Sequence, residues 1–202
     1  MIETEEVKLA EAENRAKAPG AGVKEAMEYF FAKNNLSWLK NRRSYPKVPA
    51  RESDLNNGLF ISGRDDDGYA QWKPVPLTSP VDFAEIEKEL GFEIHQSIKD
   101  FYSAYSFMDL DGIENNNDEI WFDKILPEMD ISQAIKSGFA IGDEHFLNDD
   151  RYFSIGGTGT PETVLVNNRT GEVTAAIMYE DWTRHVADSL YDLLMSMEGI
   201  WG

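Results

Sequence analysis

The last third of the chain breaks into short apolar and β-branched runs separated by turn residues, and this rhythm limits the folds open to it. Residues 139–142, 152–155, 163–166 and 172–178 are each too brief for an ordinary helix. The turn Asn167-Asn168-Arg169-Thr170-Gly171 joins the last two. Runs of this kind in succession predict an antiparallel meander, and a meander needs one face covered to be stable. The remaining sequence supplies the cover. Residues 23–39 read as a helix, with Val23, Met27, Phe30 and Phe31 at helical spacing and Trp38 and Leu39 completing a turn. A closing helix from about Thr183 carries Val186, Leu190, Leu193, Leu194 and Met197.

Between these lie smaller elements. Residues 58–62 and 69–72 read as a hairpin around Arg64-Asp65-Asp66-Asp67-Gly68, with Pro46 and Pro49 in the loop before it. Residues 81–90 form a short helix capped by Asp82 and stopped by Gly91. Residues 96–106 form another, burying Ile98, Phe101, Tyr102 and Tyr105. Residues 119–122 read as a strand and 131–136 as a weak helix. The fold class is therefore α+β: a single domain with a twisted, mostly antiparallel sheet packed by helices on one face. At 202 residues, one domain is the expectation. Residues 1–22 read as an acidic N-terminal extension, a frayed tail or short helix outside the core, and 23–202 as the domain.

Charge narrows the function. The chain carries 37 acidic against 19 basic residues, a net −18. Direct nucleic-acid binding is not expected of such a chain, because phosphates are bound by lysine and arginine. Twelve of the carboxylates fall between Asp109 and Asp150, with Lys124 and Lys136 as the only cations there. That density costs stability by self-repulsion. The stretch is interleaved with Ile113, Ile120, Trp121 and Phe122, so it reads as a folded face on which a basic partner could dock. Residues 33–51 run the other way, with Lys33, Lys40, Arg42, Arg43, Lys47 and Arg51 and no acid, and read as a solvated segment offsetting charge internally. The polar N-terminus and the lack of a long apolar run predict a soluble, cytoplasmic protein.

Catalytic signatures are sparse. With no cysteine, thiol chemistry and cysteine-based zinc sites are excluded. His95, His145 and His185 fit no zinc spacing, and His95 reads as a helix start. Asp109-Leu110-Asp111-Gly112-Ile113-Glu114 lacks the ligand set of a calcium loop. Gly156-Gly157-Thr158-Gly159-Thr160-Pro161 has neither the lysine nor the helix of a phosphate cradle. No enzyme activity, cofactor or metal is expected. The residues expected to meet a partner are Asp109, Asp111, Glu114, Asp118, Glu119, Trp121, Asp143, Glu144, Asp149 and Asp150, with Trp121 and Phe107 as candidate aromatic anchors; core packing is the alternative for both and the preferred reading of Phe107.

Gln71-Trp72-Lys73-Pro74-Val75-Pro76, Asp82-Phe83, Ile86-Glu87 and Ile94-His95-Gln96-Ser97-Ile98-Lys99-Asp100-Phe101-Tyr102 together resemble the Syd family of SecY-interacting proteins, a branch of the SUKH superfamily. The ending is similar to that superfamily too, in Val164-Leu165-Val166-Asn167, Thr170-Gly171-Glu172-Val173 and Ala187-Asp188-Ser189-Leu190. The resemblance spans roughly residues 25 to 197. It implies a sheet-and-helix domain without catalytic residues. It also implies a protein-binding role, either as an immunity protein against a basic toxin such as a nuclease or on the basic cytosolic loops of SecY. In the second case the protein would meet the membrane only peripherally. Where Syd carries a Gln/Glu-Asn-Leu-Ile-Gly-His helix, this chain has Ser137-Gly138-Phe139-Ala140-Ile141-Gly142-Asp143-Glu144-His145.

Overall fold

The computed structural model describes residues 1–108, 110–114, 119–145, 151–177, 180 and 182–199, the side chains of 143–145 excepted. Two helices, α1 (Ile2–Ala16) and α2 (Val23–Arg42), lie against each other. A region of short elements follows: β1 (Lys47–Pro49) and β2 (Tyr69–Gln71) pair antiparallel, as do β3 (Val75–Pro76) and β4 (Tyr105–Ser106). Between β3 and β4 lie α3 (Phe83–Leu90) and α4 (Gln96–Ala104). Then come β5 (Leu110–Ile113), β6 (Glu119–Phe122), α5 (Ile131–His145), β7 (Tyr152–Thr158), β8 (Glu162–Asn167), β9 (Val173–Ile177), β10 (Thr183–Ala187), α6 (Leu190–Ser196) and β11 (Glu198–Gly199). Seven strands form one antiparallel sheet in the order β10-β9-β8-β7-β6-β5-β11.

The core lies between the helices and one face of this sheet. Met27 and Phe30 of α2, Ile98, Phe101 and Tyr102 of α4, Ile135 and Phe139 of α5 and Leu190, Leu193 and Leu194 of α6 meet Leu110, Ile120, Phe122, Phe153 and Val164. Phe153 is gripped edge-on by Tyr102 at 5.4 Å and Phe139 at 5.0 Å. Each such side chain contributes about 1.5–3 kcal/mol by leaving water.

Four readings of the sequence are corrected. Residues 139–142 are not a strand but part of α5, which extends well beyond residue 136. The residues after Thr183 form edge strand β10, and the closing helix begins only at Leu190. The 58–62/69–72 hairpin shrinks to a single bridge, Phe60 to Trp72, because the Gln71 N–H donates to Ser62 Oγ at 2.9 Å rather than to a backbone carbonyl, while β2 pairs with β1 along its other edge. The stretch after Pro46 thus holds a strand rather than only a loop.

Two polar devices hold elements in place. His95 caps α4: Ser97 N–H donates to its Nδ1 at 3.3 Å, which requires the neutral ring, and burial pushes the imidazole pKa down. The same turn is stitched to the β8–β9 loop, since His95 N–H donates to Asn168 Oδ1 at 2.7 Å and Asn168 Nδ2 donates to the Glu93 carbonyl at 2.8 Å. Gly171 sits at φ 79, and a Cβ there would stand 2.5 Å from the His95 ring, so no side chain fits. On the other side, Lys33 reaches from α2 to the end of α6. Its Nζ donates to the carbonyls of Met195, at 3.3 Å, and Met197, lies 4.7 Å from the Tyr29 ring centre and pairs with Glu198 at 3.6 Å. Burial lowers its pKa and Glu198 opposes that shift.

Helix α1 is docked rather than frayed. Its apolar contribution is small, Ala12 and Ala16, and polar contacts carry the rest. The Glu5 carboxylate is 3 % exposed and accepts from Lys8 Nζ at 2.7 Å and Tyr45 Oη at 3.0 Å, with Lys73 Nζ at 3.8 Å. Arg15 pairs with Glu28 at 3.0 Å, Lys40 with Glu6 at 2.9 Å, and Tyr191 Oη donates to the Ala16 carbonyl at 2.7 Å. Burial alone would raise the Glu5 pKa, but the Lys8 and Tyr45 hydrogen bonds and the two ammonium groups outweigh it and hold the carboxyl below its usual value. A carboxylate lowered in the folded state stabilises above its unfolded pKa and loses that contribution as pH falls through the folded one. Amide exchange in α1 is therefore expected to accelerate ahead of the core as pH drops below about 4. Glu5→Gln should speed α1 exchange at neutral pH and remove the acid dependence. Identical α1 exchange in wild type and variant across that range would refute this account.

Candidate partner-binding face

Strand alternation sets which acids can meet a partner. In β6, Ile120 and Phe122 turn into the core at 0 % and 2 % exposure, so Glu119 and Trp121 turn out. In β5, Leu110 faces inward, and Gly112 is pressed so closely by Phe30 and Met197 that a Cβ would stand 2.6 Å from each. Asp111 and Ile113 take the outer side. The register places Asp111 opposite Trp121 and Ile113 opposite Glu119. The sheet thus brings Asp111, Glu119 and Trp121 onto one face.

Trp121 is held from behind. Its indole lies across β7 at Gly157, where a Cβ would come within 2.5 Å of the ring, and Nε1 donates to the Thr158 carbonyl at 3.3 Å. Yet the residue stays 42 % exposed. The cross-strand row continues Asp111–Trp121–Gly157–Thr163–Ala176–Thr183, so the side chains beyond the indole are small. An aromatic already ordered on one side loses little side-chain entropy when a partner covers the other. Trp182, 41 % exposed just ahead of β10, is a second open aromatic that sequence reasoning missed, because it falls between the strand read at 172–178 and the helix read from about Thr183.

The other expected contacts part company. Glu114 is 5 % exposed and does not stand on the surface: it faces Arg184 Nη1 at 4.0 Å, and Arg184 Nη2 also binds Glu162 at 3.1 Å. Glu162 in turn accepts from Thr158 Oγ1 at 3.2 Å. Glu114 belongs to an internal charge cluster that closes one end of the core. Phe107, the other aromatic candidate, is fully buried. It bridges Ile125 by two backbone hydrogen bonds and packs on Phe31 and Phe101. Asp143 and Glu144 lie in the last turn of α5. Asp109, Asp118, Asp149 and Asp150 lie outside the described residues.

Three cations of the basic segment are paired elsewhere. Lys33 pairs with Glu198, Lys40 with Glu6 and Lys47 with Asp65 at 2.9 Å, all outside residues 109–150. Among the described residues no three histidines or carboxylates gather as a metal would require. Replacing Arg184 with methionine strands Glu114 and Glu162 without their cation, and the expected cost is about 3 kcal/mol in urea unfolding. A loss under about 0.5 kcal/mol, the scale of an ordinary surface change, would show that the cluster carries no structural weight.

Two family models match the chain. One, described as Syd protein (SUKH-2), covers residues 24–120, from the start of α2 into β6. The other, described as the SMI1 / KNR4 family (SUKH-1), covers residues 77–196, from the end of β3 through α6 and thus the whole β5–β10 meander. Helix α1 lies outside both. Since the second match takes in more than half of the sequence, the chain belongs to the SMI1/KNR4 family (SUKH-1) of the SUKH superfamily, with a Syd-like segment in its first half.

Proposed function

We propose that this protein is a non-catalytic binding module acting as an immunity protein, neutralising a cognate basic bacterial toxin, a nuclease, by covering its active surface. The observation that carries the reading is Trp121: an indole packed against Gly157 from behind, open to solvent in front, and flanked by Asp111 and Glu119. A large aromatic in that setting has the form of an interface hot spot. The carboxylates beside it steer a cationic partner and exclude acidic ones. Asp109, Asp118, Asp143, Glu144, Asp149 and Asp150 are proposed as further acids toward the partner. Residues 1–22 are assigned as an extension added to the binding domain.

The Syd match over residues 24–120 favours a second reading, in which the same face receives the basic cytosolic loops of SecY. No described helix is long and apolar enough to cross a membrane, and in this reading contact with one runs through that partner.

Co-expression with the toxin encoded beside this gene tests the first reading, and capture of SecY from solubilised membranes tests the second. Under the first, the wild-type protein rescues growth, and Asp111→Lys with Glu119→Lys slows association about tenfold at low salt. Trp121→Ala then raises the dissociation rate about thirtyfold, the scale of a 2 kcal/mol hot spot. Rescue and association rates that do not respond to these changes would remove the face from the mechanism.

A further inference from the structure

A second surface is built for binding on the helical side of the molecule. The segment from β3 into α3 and the segment from β6 into α5 run past each other and leave an open groove of about 350 Å³. Leu77, Val81, Ile86, Leu126, Met129 and Ile131 line it. Apart from Ile86, which is buried, these side chains are part-exposed. Both walls are fixed by the backbone: Leu77 N–H donates to the Ala104 carbonyl at 3.0 Å, and Met129 N–H to the Leu126 carbonyl at 3.0 Å. Two caps hold the same walls in place. Asp82 Oδ1 accepts from Glu85 N–H at 3.2 Å at the start of α3, and Asp130 Oδ1 accepts from Gln133 N–H at 3.0 Å at the start of α5. The groove is therefore preformed.

Its rim is acidic. Asp82 and Glu85 edge one wall, and Glu128 and Asp130 alternate with the lining residues of the other; all four are exposed. Lys88 offsets Glu85 at 3.2 Å, and Lys124 follows β6. Four carboxylates against two ammonium groups around an apolar slot select an occupant with the inverse pattern.

We propose that this groove docks a short peptide segment of a partner protein, presenting one aliphatic or aromatic side chain flanked by lysine or arginine. The apolar side chain fills the slot between Val81 and Met129 while the flanking cations meet Glu85 and Glu128. A second copy of this chain is a poor occupant, since two molecules of net charge −18 repel each other. The inference rests on the reading that the partner is basic, but uses no residue of the Trp121 face.

The test is a nuclear magnetic resonance titration of the full chain with an acetylated, amidated Lys-Lys-Leu-Lys-Lys peptide. Glu-Glu-Leu-Glu-Glu and Lys-Lys-Gly-Lys-Lys serve as controls. The expected result is amide shifts confined to residues 77–86 and 126–132, saturating in the millimolar range and weakening with added salt. Neither control should reproduce them. Glu85→Lys with Glu128→Lys should weaken the peptide about fivefold or more, while Trp121→Ala leaves it unchanged. Shifts that map elsewhere, that appear equally with either control, or that follow protein concentration without peptide would each overturn the proposal. Rescue in co-expression is read separately, so a groove that fails leaves the toxin reading standing, and the reverse holds too.

Discussion

Burial of one face of the seven-stranded sheet constrains where nearly everything else in the molecule can go. Because side chains alternate along a strand, fixing Ile120 and Phe122 under Phe101 and Phe30 also fixes Glu119 and Trp121 on the opposite side. A slip of one residue would drive a glutamate into the aromatic core, a cost of several kcal/mol for an unpaired buried charge. The same constraint turns Glu114 inward, where Arg184 meets it from β10, four strands lying between β5 and β10 in the sheet order. The outer face that carries Trp121 and the core beneath it are two outcomes of one register.

The charge of the molecule divides along the same line. Several acids are consumed internally: Glu5 by Lys8, Lys73 and Tyr45, Glu28 by Arg15 and Tyr105, Glu87 by Lys99, and Glu114 and Glu162 by Arg184. Glu119 stands exposed on the outer strand face, and Asp82, Glu128 and Asp130 stand exposed around the groove. The net acidity of the chain therefore overstates some surfaces and is concentrated at others.

Much of the fold was legible where signals were local. Asp82 and Gly91 bracket α3 as a cap and a stop, His95 starts α4, and β6 occupies residues 119–122 as read. Local signals misled where a long-range contact decided the outcome. Gly138 and Gly142 look like strand punctuation beside Phe139 and Ile141. In the structure they let α5 lie directly on β7, with a Cβ at Gly142 reaching 1.8 Å from the Tyr152 carbonyl oxygen. Val186 and Leu190 share a helical spacing by coincidence, one closing a strand and the other opening a helix. The candidate face was half legible for the same reason. The strand at 119–122 was read, and its alternation turns Trp121 outward, but nothing near Glu114 announces Arg184 seventy residues later, and the isolated bridge that buries Phe107 is set by Ile125.

The order of the sheet has a bearing on how the protein is made. β5 is flanked on one side by β6 and on the other by β11, whose two residues come after every other strand in the chain. Lys33 of α2 likewise finds its carbonyl acceptors only once α6 exists. A ribosome must thus release residue 199 before the early helices and the middle strands can close on each other. Until then the β5 edge stands open and Lys33 lacks its acceptors, so these contacts of long sequence separation close last.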